Sequence, residues 1–238
     1  MPKPNQIELP TGEAIPILYE DRSVLAIDKP RDWMLVPFSW QRTNRNLQAA
    51  LTSSIAARDF WARSRALKFL RFVHRLDADT TGVLLFGKSQ GAVTAYGRLF
   101  ESRQMQKVYL AVIEGVPKQK EWTCRLKLAP KPGDPGRMQV DLRQGKEAET
   151  KFKVLKTVKD RALIEAHPLT GRTHQIRLHL AESGCPVVAD ELYGRKGHKS
   201  EALGLRAVQL AYRDPFTRRP VKITAESEWF LREYGFSD

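Results

Sequence analysis

The sequence predicts an α+β fold, in which helices and loops flank a mixed, mainly antiparallel central sheet. Apolar runs of strand length occur in pairs around short polar turns, for example at residues 15–19 and 24–28, as expected for hairpins. Few helical segments separate the strands, which disfavours the alternating strand and helix order of a doubly wound sheet. With 238 residues, 42% of them hydrophobic, the chain is long enough to bury a sizeable core.

The individual elements follow from periodicity and flanking residues. Residues 1–14 hold three prolines and no periodicity, so we expect a flexible lead-in before one domain that spans residues 15–238. Ser89 and Thr173 are candidate helix N-caps, and Gly184 is a candidate helix stop. Helices are expected at residues 47–57, 90–101, 174–183 and 228–234. Strands are expected at residues 15–19, 24–28, 83–86, 107–113, 122–128, 150–158, 162–166, 208–212 and 221–224.

The charge of the chain indicates a polyanionic partner. The formal net charge is +13 and the pI is about 9.9, an excess that does not help folding because like charges repel. Nucleic acid fits this excess better than a membrane, since the longest apolar runs fall far short of the roughly 20 residues that span a bilayer. The N-terminus also lacks the apolar core of a signal peptide.

The two cysteines point to a reducing compartment. Cys124 and Cys185 show no CxxC or other paired spacing, so neither a disulfide framework nor a cysteine-ligated zinc is expected. We therefore predict a cytoplasmic protein without a membrane segment.

A basic stripe is predicted between residues 60 and 71. Arg65, Lys68 and Arg71 recur at three-residue spacing, which in a helix places them on one face beside aromatic side chains. The alternative is a charged face that only contacts solvent.

The motif at residues 72–86 predicts a strand, a tight loop and a second strand. Asp77 falls in the loop, where rigid strands often present catalytic groups. The alternative at this point is an aspartate that merely caps a turn.

The sequence offers no support for a metal or a cofactor. His174 and His179 are five residues apart, which in a helix separates them by about 140° and prevents them from sharing one ion. The chain also lacks the GxxxxGK[ST] phosphate loop, the GxGxxG fingerprint and the GxSxG elbow. What remains is a set of Asp, Tyr and Arg residues in a strongly basic protein.

Three ordered motifs carry a resemblance to a known family. His74-Arg75-Leu76-Asp77 with Thr80-Thr81-Gly82 resembles the HRLDxxTSG signature of the RluA-type pseudouridine synthases. The segment from Lys107 to Ala111 resembles their KxYxA motif, and residues 171–179 resemble GRTHQIRxH. Lys29-Pro30 and Pro37 match the opening of the family pattern, and the likeness covers roughly residues 15–225.

The resemblance implies a pseudouridine synthase fold with a central catalytic cleft, and isomerisation of uridine to pseudouridine in RNA without cofactor or metal. It implies that Asp77 initiates glycosidic cleavage, by attack on C1′, addition to the base or proton abstraction. Tyr109 would stack on the uracil, Arg177 would pair with Asp77, and Arg75 would fill the stack when the uridine flips out.

The remaining candidates concern RNA binding. Arg65, Lys68, Arg71 and Arg172 are predicted to contact phosphates. His74, His174 and Gln175 are interpreted as structural hydrogen-bonding residues.

Departures from the family pattern are confined to positions outside the catalytic trio. Thr81 replaces a serine, Asp32 a glycine, and Arg206 and Asp214 stand where histidines are usual. No N-terminal S4-like domain is expected, which favours a short family form that is a monomer and targets a stem-loop of ribosomal or transfer RNA.

Two alternatives stay open. One is a catalytically silent RNA-binding protein on the same fold, and the other is a DNA-binding protein or nuclease. The absence of a carboxylate cluster in the sequence speaks against the latter.

Overall fold

A computed structural model describes residues 3–9, 12–35, 45–195 and 201–237 of the chain. Pro37, which contributes to the family resemblance, lies outside these ranges. The chain divides into two compact units, described separately below. The first unit is Met1–Met105 with Gln209–Ala225, and the second is Gln106–Val208 with Glu226–Asp238. None of the helices in the described ranges is long and apolar enough to cross a membrane.

The described residues confirm the α+β class. The strands are β1 Gln6–Glu8, β2 Ala14–Glu20, β3 Val24–Lys29, β4 Arg71–Phe72, β5 Thr81–Gly87, β6 Gln106–Glu114, β7 Glu121–Pro130, β8 Met138–Val140, β9 Lys146–Val158, β10 Arg161–Pro168, β11 Leu205–Arg213 and β12 Pro220–Thr224. The helices are α1 Leu47–Ala56, α2 Phe60–Arg63, α3 Gln90–Glu101, α4 Gln175–Glu182 and α5 Glu228–Glu233.

The first unit is built on the strand order β1-β2-β3-β5, followed by the second half of β11 and then β12. β3 pairs antiparallel with β5 along its full length, and every residue of β5 is buried. Because its apolar residues are consecutive rather than alternating, β5 buries both of its faces. Helix α3 begins after Ser89, whose side chain accepts a hydrogen bond from the Ala92 amide as predicted. β4, β5 and the loop between them confirm the predicted strand, loop and strand.

The predicted flexible lead-in contains a short strand. β1 pairs antiparallel with β2, and Ile7 lies opposite Ile15 with neither side chain exposed. The alternation of Gln6, Ile7 and Glu8 turns one apolar side chain into the core. Three residues are too few for this alternation to register as a strand pattern in the sequence.

The predicted basic stripe, which required residues 60–71 to be helical, is wrong. Only Phe60–Arg63 is helical, and the chain then turns through Ala66, which has a left-handed backbone (φ +51°). Leu67 closes this turn by donating its amide to the Ala62 carbonyl. Arg65, Lys68 and Arg71 therefore do not share a helix face.

The second unit is an antiparallel sheet in the order β6-β10-β9-β7-β8, with the first part of β11 beside β6. Helix α4 packs Ile176 and Leu180 into a core that includes Phe152 and Ile164. The predicted loop at residues 130–136 is followed by β8, which pairs with the end of β7 and was not predicted. A three-residue strand after a loop rich in proline and glycine has no sequence signal of its own.

Candidate functional site

Asp77 lies in the loop between β4 and β5 of the first unit, and its residue is partly buried. The Val73 amide donates to the Leu85 carbonyl at 2.8 Å at the start of the loop. The Asp77 carbonyl accepts from the Thr80 amide at 3.2 Å, which closes a turn at its end. Leu76 is 7% exposed and anchors the loop in the core. The loop is thus fixed on both sides of Asp77.

Lys29 is the strongest anchor of this loop. Its Nζ donates to the carbonyl oxygens of Ala78 at 2.6 Å, Thr80 at 3.1 Å and Pro30 at 3.0 Å. Three N–H donors thus meet three acceptors, and the lysine has no exposed surface. Burial lowers the pKa of Lys29 to about 8, and the charges of Asp79, Asp77 and Asp32 oppose this shift.

His74 has the structural role that the sequence predicts. Its Nε2 accepts a 3.2 Å hydrogen bond from the Leu85 amide, and its ring stacks on Phe100 at a centroid distance of 4.6 Å. These contacts place the imidazole inside the first unit and fix the chain just before Asp77.

The basic residues of the first unit differ in accessibility. Arg75, Lys68 and Arg71 are exposed. Arg65 is not: its side chain is 3% exposed, and its guanidinium pairs with Glu20 at 2.8 Å. It also donates to the carbonyl oxygens of Trp61 and Pro4. This geometry assigns Arg65 to the interior, and its predicted phosphate contact has no support in the structure.

The burial of Arg65 predicts a contrast between two variants. Arg65→Met is expected to lower the free energy of unfolding by about 1–3 kcal/mol, because it leaves the Trp61 and Pro4 carbonyls without their donor, while Lys88 still pairs with Glu20. Lys68→Met is expected to leave stability unchanged and to reduce the salt dependence of RNA binding by about one counterion. Thermal unfolding and salt-dependent binding measure the two effects. Equal stability of both variants would contradict the assignment of Arg65.

Arg177 lies on α4 of the second unit and is only 4% exposed. Its Nε and Nη2 each donate to one carboxylate oxygen of Asp190 at 2.7 Å. Oδ1 of Asp190 also accepts from the Leu192 and Tyr193 amides. A bidentate pair of this kind fixes the plane of the guanidinium. Asp190 thus orients Arg177, whose predicted pairing with Asp77 stays a prediction.

Tyr193 connects Arg177 to two other segments. The guanidiniums of Arg177 and Arg137 each lie 5.5 Å from the centroid of its ring. Its hydroxyl accepts from the Met138 amide at 2.8 Å and lies 3.0 Å from the Nδ1 of His174. The hairpin of β7 and β8 is thereby attached to the start of α4.

The start of α4 is organised by Gln175 rather than by the predicted cap Thr173. The residue before the helix is His174, with a left-handed backbone (φ +53°) and no capping hydrogen bond. The Gln175 Oε1 accepts from the Arg172 amide and the Thr170 hydroxyl, and its Nε2 donates to the Glu149 carbonyl. This confirms the structural roles predicted for His174 and Gln175.

Arg172 and His179 also have partners within the second unit. The Arg172 Nε donates to the Glu147 carbonyl at 3.0 Å. His179 is fully buried, its Nδ1 lies 3.0 Å from the Thr150 hydroxyl, and burial lowers its pKa to about 4. His179 is therefore uncharged at neutral pH and has a structural role in the core.

Tyr109 lies on β6 of the second unit, opposite Ala166 of β10. It is partly buried, and it packs against the core that contains Phe152 and Ile176. An aromatic ring that packs against a core and stays partly exposed can stack on a planar ligand. Lys107, two residues earlier on β6, donates to the Thr170 carbonyl at 2.7 Å.

The predicted catalytic residues are divided between the two units, with Asp77 in the first and Tyr109 and Arg177 in the second. The supporting roles of Lys29, Asp190 and Tyr193 were not predicted. Lys29 belongs to the opening of the family pattern, and Asp190 and Tyr193 lie within the range of roughly residues 15–225 that the likeness covers, which was the only signal available in the sequence.

Comparisons with known proteins agree with the motifs. A family model described as RNA pseudouridylate synthase matches residues 23–182. The ribosomal large subunit pseudouridine synthase C of Vibrio vulnificus is 32% identical over 219 residues, which are 88% of this chain and 64% of that protein. The Escherichia coli protein of the same name is 32% identical over 231 residues, 91% of this chain and 67% of that protein. The chain thus spans about two thirds of the length of these relatives.

Solved structures show the same fold. Human RNA Pseudouridylate Synthase Domain Containing 1 is 25% identical with a TM-score of 0.73, and the match covers 92% of this chain and 86% of the human chain. Human RNA Pseudouridylate Synthase Domain Containing 4 has a TM-score of 0.75 at 23% identity, with 92% of both chains covered. With the family model matching most of the chain, these findings show that the chain belongs to the RNA pseudouridylate synthase family.

Proposed function

We propose that the chain is a pseudouridine synthase that converts one or more uridines in the RNA of the large ribosomal subunit. The observation that carries this proposal is Asp77, held on a loop that the buried Lys29 anchors through the Ala78 and Thr80 carbonyls. The choice of RNA is supported by the names of the relatives, which are ribosomal large subunit pseudouridine synthases.

The proposed reaction is an isomerisation that consumes no co-reactant. The bond between N1 of uracil and C1′ of ribose breaks, the base turns, and a bond forms between C5 and C1′. The hydrogen on C5 is then lost, and N1 carries a proton in the product. Atoms and electrons balance within the nucleotide, so the protein needs to supply positioning and proton transfer.

The roles of the residues follow from this reaction. Asp77 initiates cleavage of the glycosidic bond, and its first step is either bond formation to the nucleotide or proton abstraction. Tyr109 offers its ring to the uracil and its hydroxyl to proton handling near C5. Arg75, exposed on the Asp77 loop, occupies the space that the uridine leaves when it flips out. Arg177, oriented by Asp190, pairs with Asp77.

RNA binding is supported by the charge of the chain and by a basic cleft in the first unit. The cleft has a volume of about 690 Å³. Its charged lining residues are Lys3, Glu20, Asp21, Arg22, Arg65, Lys68 and Lys88. Lys3, Arg65 and Lys88 all pair with Glu20, so the exposed Arg22 and Lys68 are the cations of this cleft that favour phosphate groups.

The test is tritium release from RNA labelled with [5-³H]uridine. Large-subunit rRNA, small-subunit rRNA and tRNA are each incubated with the protein, and conversion is mapped in any RNA that releases tritium. Release from large-subunit rRNA alone is the expected result. Release from tRNA alone would refute the choice of RNA, and tight binding without release from any RNA would indicate a catalytically silent RNA-binding protein.

A further inference from the structure

Lys107 is a partly buried cation on the strand that carries Tyr109. Both side chains project from the same face of β6, because alternate residues of a strand share a face. Nζ of Lys107 is bonded to the Thr170 carbonyl, and the next residue, Gly171, presents bare backbone to it. A Cβ at Gly171 would lie 3.9 Å from this nitrogen. The ammonium therefore sits against a segment that leaves room for a ligand.

Lys107 differs from Lys29 in how its charge is compensated. Lys29 has a carbonyl acceptor for each of its three donors and three aspartates nearby. Lys107 has one carbonyl acceptor among the described residues and remains partly exposed. Burial lowers the pKa of Lys107 to about 8, and no charged group in the described part of the chain opposes this shift. All three N–H donors of Lys29 are therefore used within the protein. Lys107 has two donors and a positive charge that a ligand could still satisfy.

The titratable groups on the neighbouring segments are engaged elsewhere. Glu149 pairs with Arg125, and Glu165 on β10 lies 2.9 Å from His167. In the segment before α4, Arg172 bonds to Glu147 and His174 to Tyr193. None of these groups has a described hydrogen bond to the Lys107 ammonium.

We propose that Lys107 binds a phosphate oxygen of the RNA backbone beside the uracil that stacks on Tyr109. A partly dehydrated ammonium with unused donors gains most from an anionic oxygen, because the anion supplies both hydrogen bonds and the missing charge. Alternate residues of a strand are about 7 Å apart, a separation that fits within one nucleotide. The inference rests on the proposed function, since that function places the uracil on Tyr109.

The first test is the pH dependence of RNA binding between pH 7 and 9. The probe is a labelled stem-loop that contains the converted uridine or, if no uridine is converted, the large-subunit rRNA fragment that binds most tightly. Phosphate binding favours protonated Lys107 and so raises its pKa in the complex. Affinity is then constant below the free pKa and falls above it by up to about tenfold, the contribution expected from the Lys107 charge. Lys107→Arg should bind equally across this range, and Lys107→Met should bind about tenfold more weakly at pH 7 without pH dependence.

The second test changes the RNA. Neutral methylphosphonate linkages replace, one at a time, the phosphates around the uridine. In the wild-type protein one linkage should remove both the affinity contributed by Lys107 and its pH dependence, and Lys107→Met should show no further loss from that linkage. Lys222→Met, at an exposed position of β12, serves as the control and should behave as wild type.

The outcomes separate this inference from the proposed function. Equal losses for wild type and Lys107→Met at every neutral linkage, or affinity that stays constant to pH 9, would overturn the role of Lys107. If the wild-type protein releases tritium but gives those results, only the Lys107 inference is refuted. If both tests give the expected results but no uridine is converted, only the proposed activity is refuted.

Discussion

Asp77→Asn is expected to reduce tritium release by about 10⁴-fold or more, because asparagine can neither form the bond nor accept the proton that the reaction requires. The substitution keeps the size of the side chain. The loop should keep its conformation, since its anchors are the backbone carbonyls held by Lys29, the His74 imidazole and the buried Leu76. The melting temperature and the affinity for RNA should therefore remain close to those of the wild type.

Single-turnover tritium release, thermal unfolding and RNA binding together measure this prediction. Asp160→Asn is the matched control, because it removes the same charge at an exposed turn between β9 and β10. It should retain wild-type activity. If Asp77→Asn released tritium at a rate within tenfold of the control, Asp77 would not be the catalytic aspartate.

Lys29→Met is expected to lower both stability and turnover. The substitution leaves the Pro30, Ala78 and Thr80 carbonyls without their shared donor, and each buried acceptor left unsatisfied costs about 1–3 kcal/mol. We expect the free energy of unfolding to fall by about 3 kcal/mol or more. Since the Ala78 and Thr80 carbonyls lie just after Asp77 in the same loop, kcat should fall at least tenfold, even at temperatures where the variant is folded.

Two further variants show whether the lysine acts through its geometry. Lys29→Arg keeps the positive charge, but a planar guanidinium does not fit a fully enclosed site shaped for an ammonium, so we expect no rescue. Lys222→Met removes an exposed lysine and should leave both quantities unchanged. Denaturant unfolding and initial rates provide the measurements. Full activity of Lys29→Arg would show that charge alone suffices, and an unchanged Lys29→Met would refute the anchoring role.

Much of the fold could be predicted from local sequence patterns. The hairpins around residues 20–23 and 159–161, the Ser89 cap of α3 and the placement of Asp77 in a loop were all predicted correctly. In each case the residues that determine the structure are close in sequence. Side-chain alternation, turn composition or a capping hydroxyl is then enough to predict it.

The errors arise where distant contacts override local preference. Residues 60–71 have a helical charge pattern, but Arg65 is drawn inward by Glu20 and by the Pro4 carbonyl, 45 and 61 residues away. The short strand β1 exists because Ile7 pairs with Ile15. Neither contact can be predicted from the sequence of the segment whose structure it determines.

The candidate site shows the same division. The family resemblance predicted Asp77, Tyr109 and Arg177 as the chemical groups, and the family is confirmed, but the sequence did not predict what holds these groups in place. Lys29 acts on carbonyl groups 49 and 51 residues away, and Asp190 orients Arg177 across 13 residues.

The sequence by itself determined the fold class and the family, and it predicted which side chains are reactive. Only the tertiary structure decided which cations are used inside the protein: Arg65 and Lys29 are enclosed by their own acceptors, whereas Lys68 is exposed and Lys107 has a single acceptor among the described residues. The physical reason is that the state of a charged side chain depends on its burial and on its hydrogen-bond partners. Both are set by chain segments that meet only when the protein has folded.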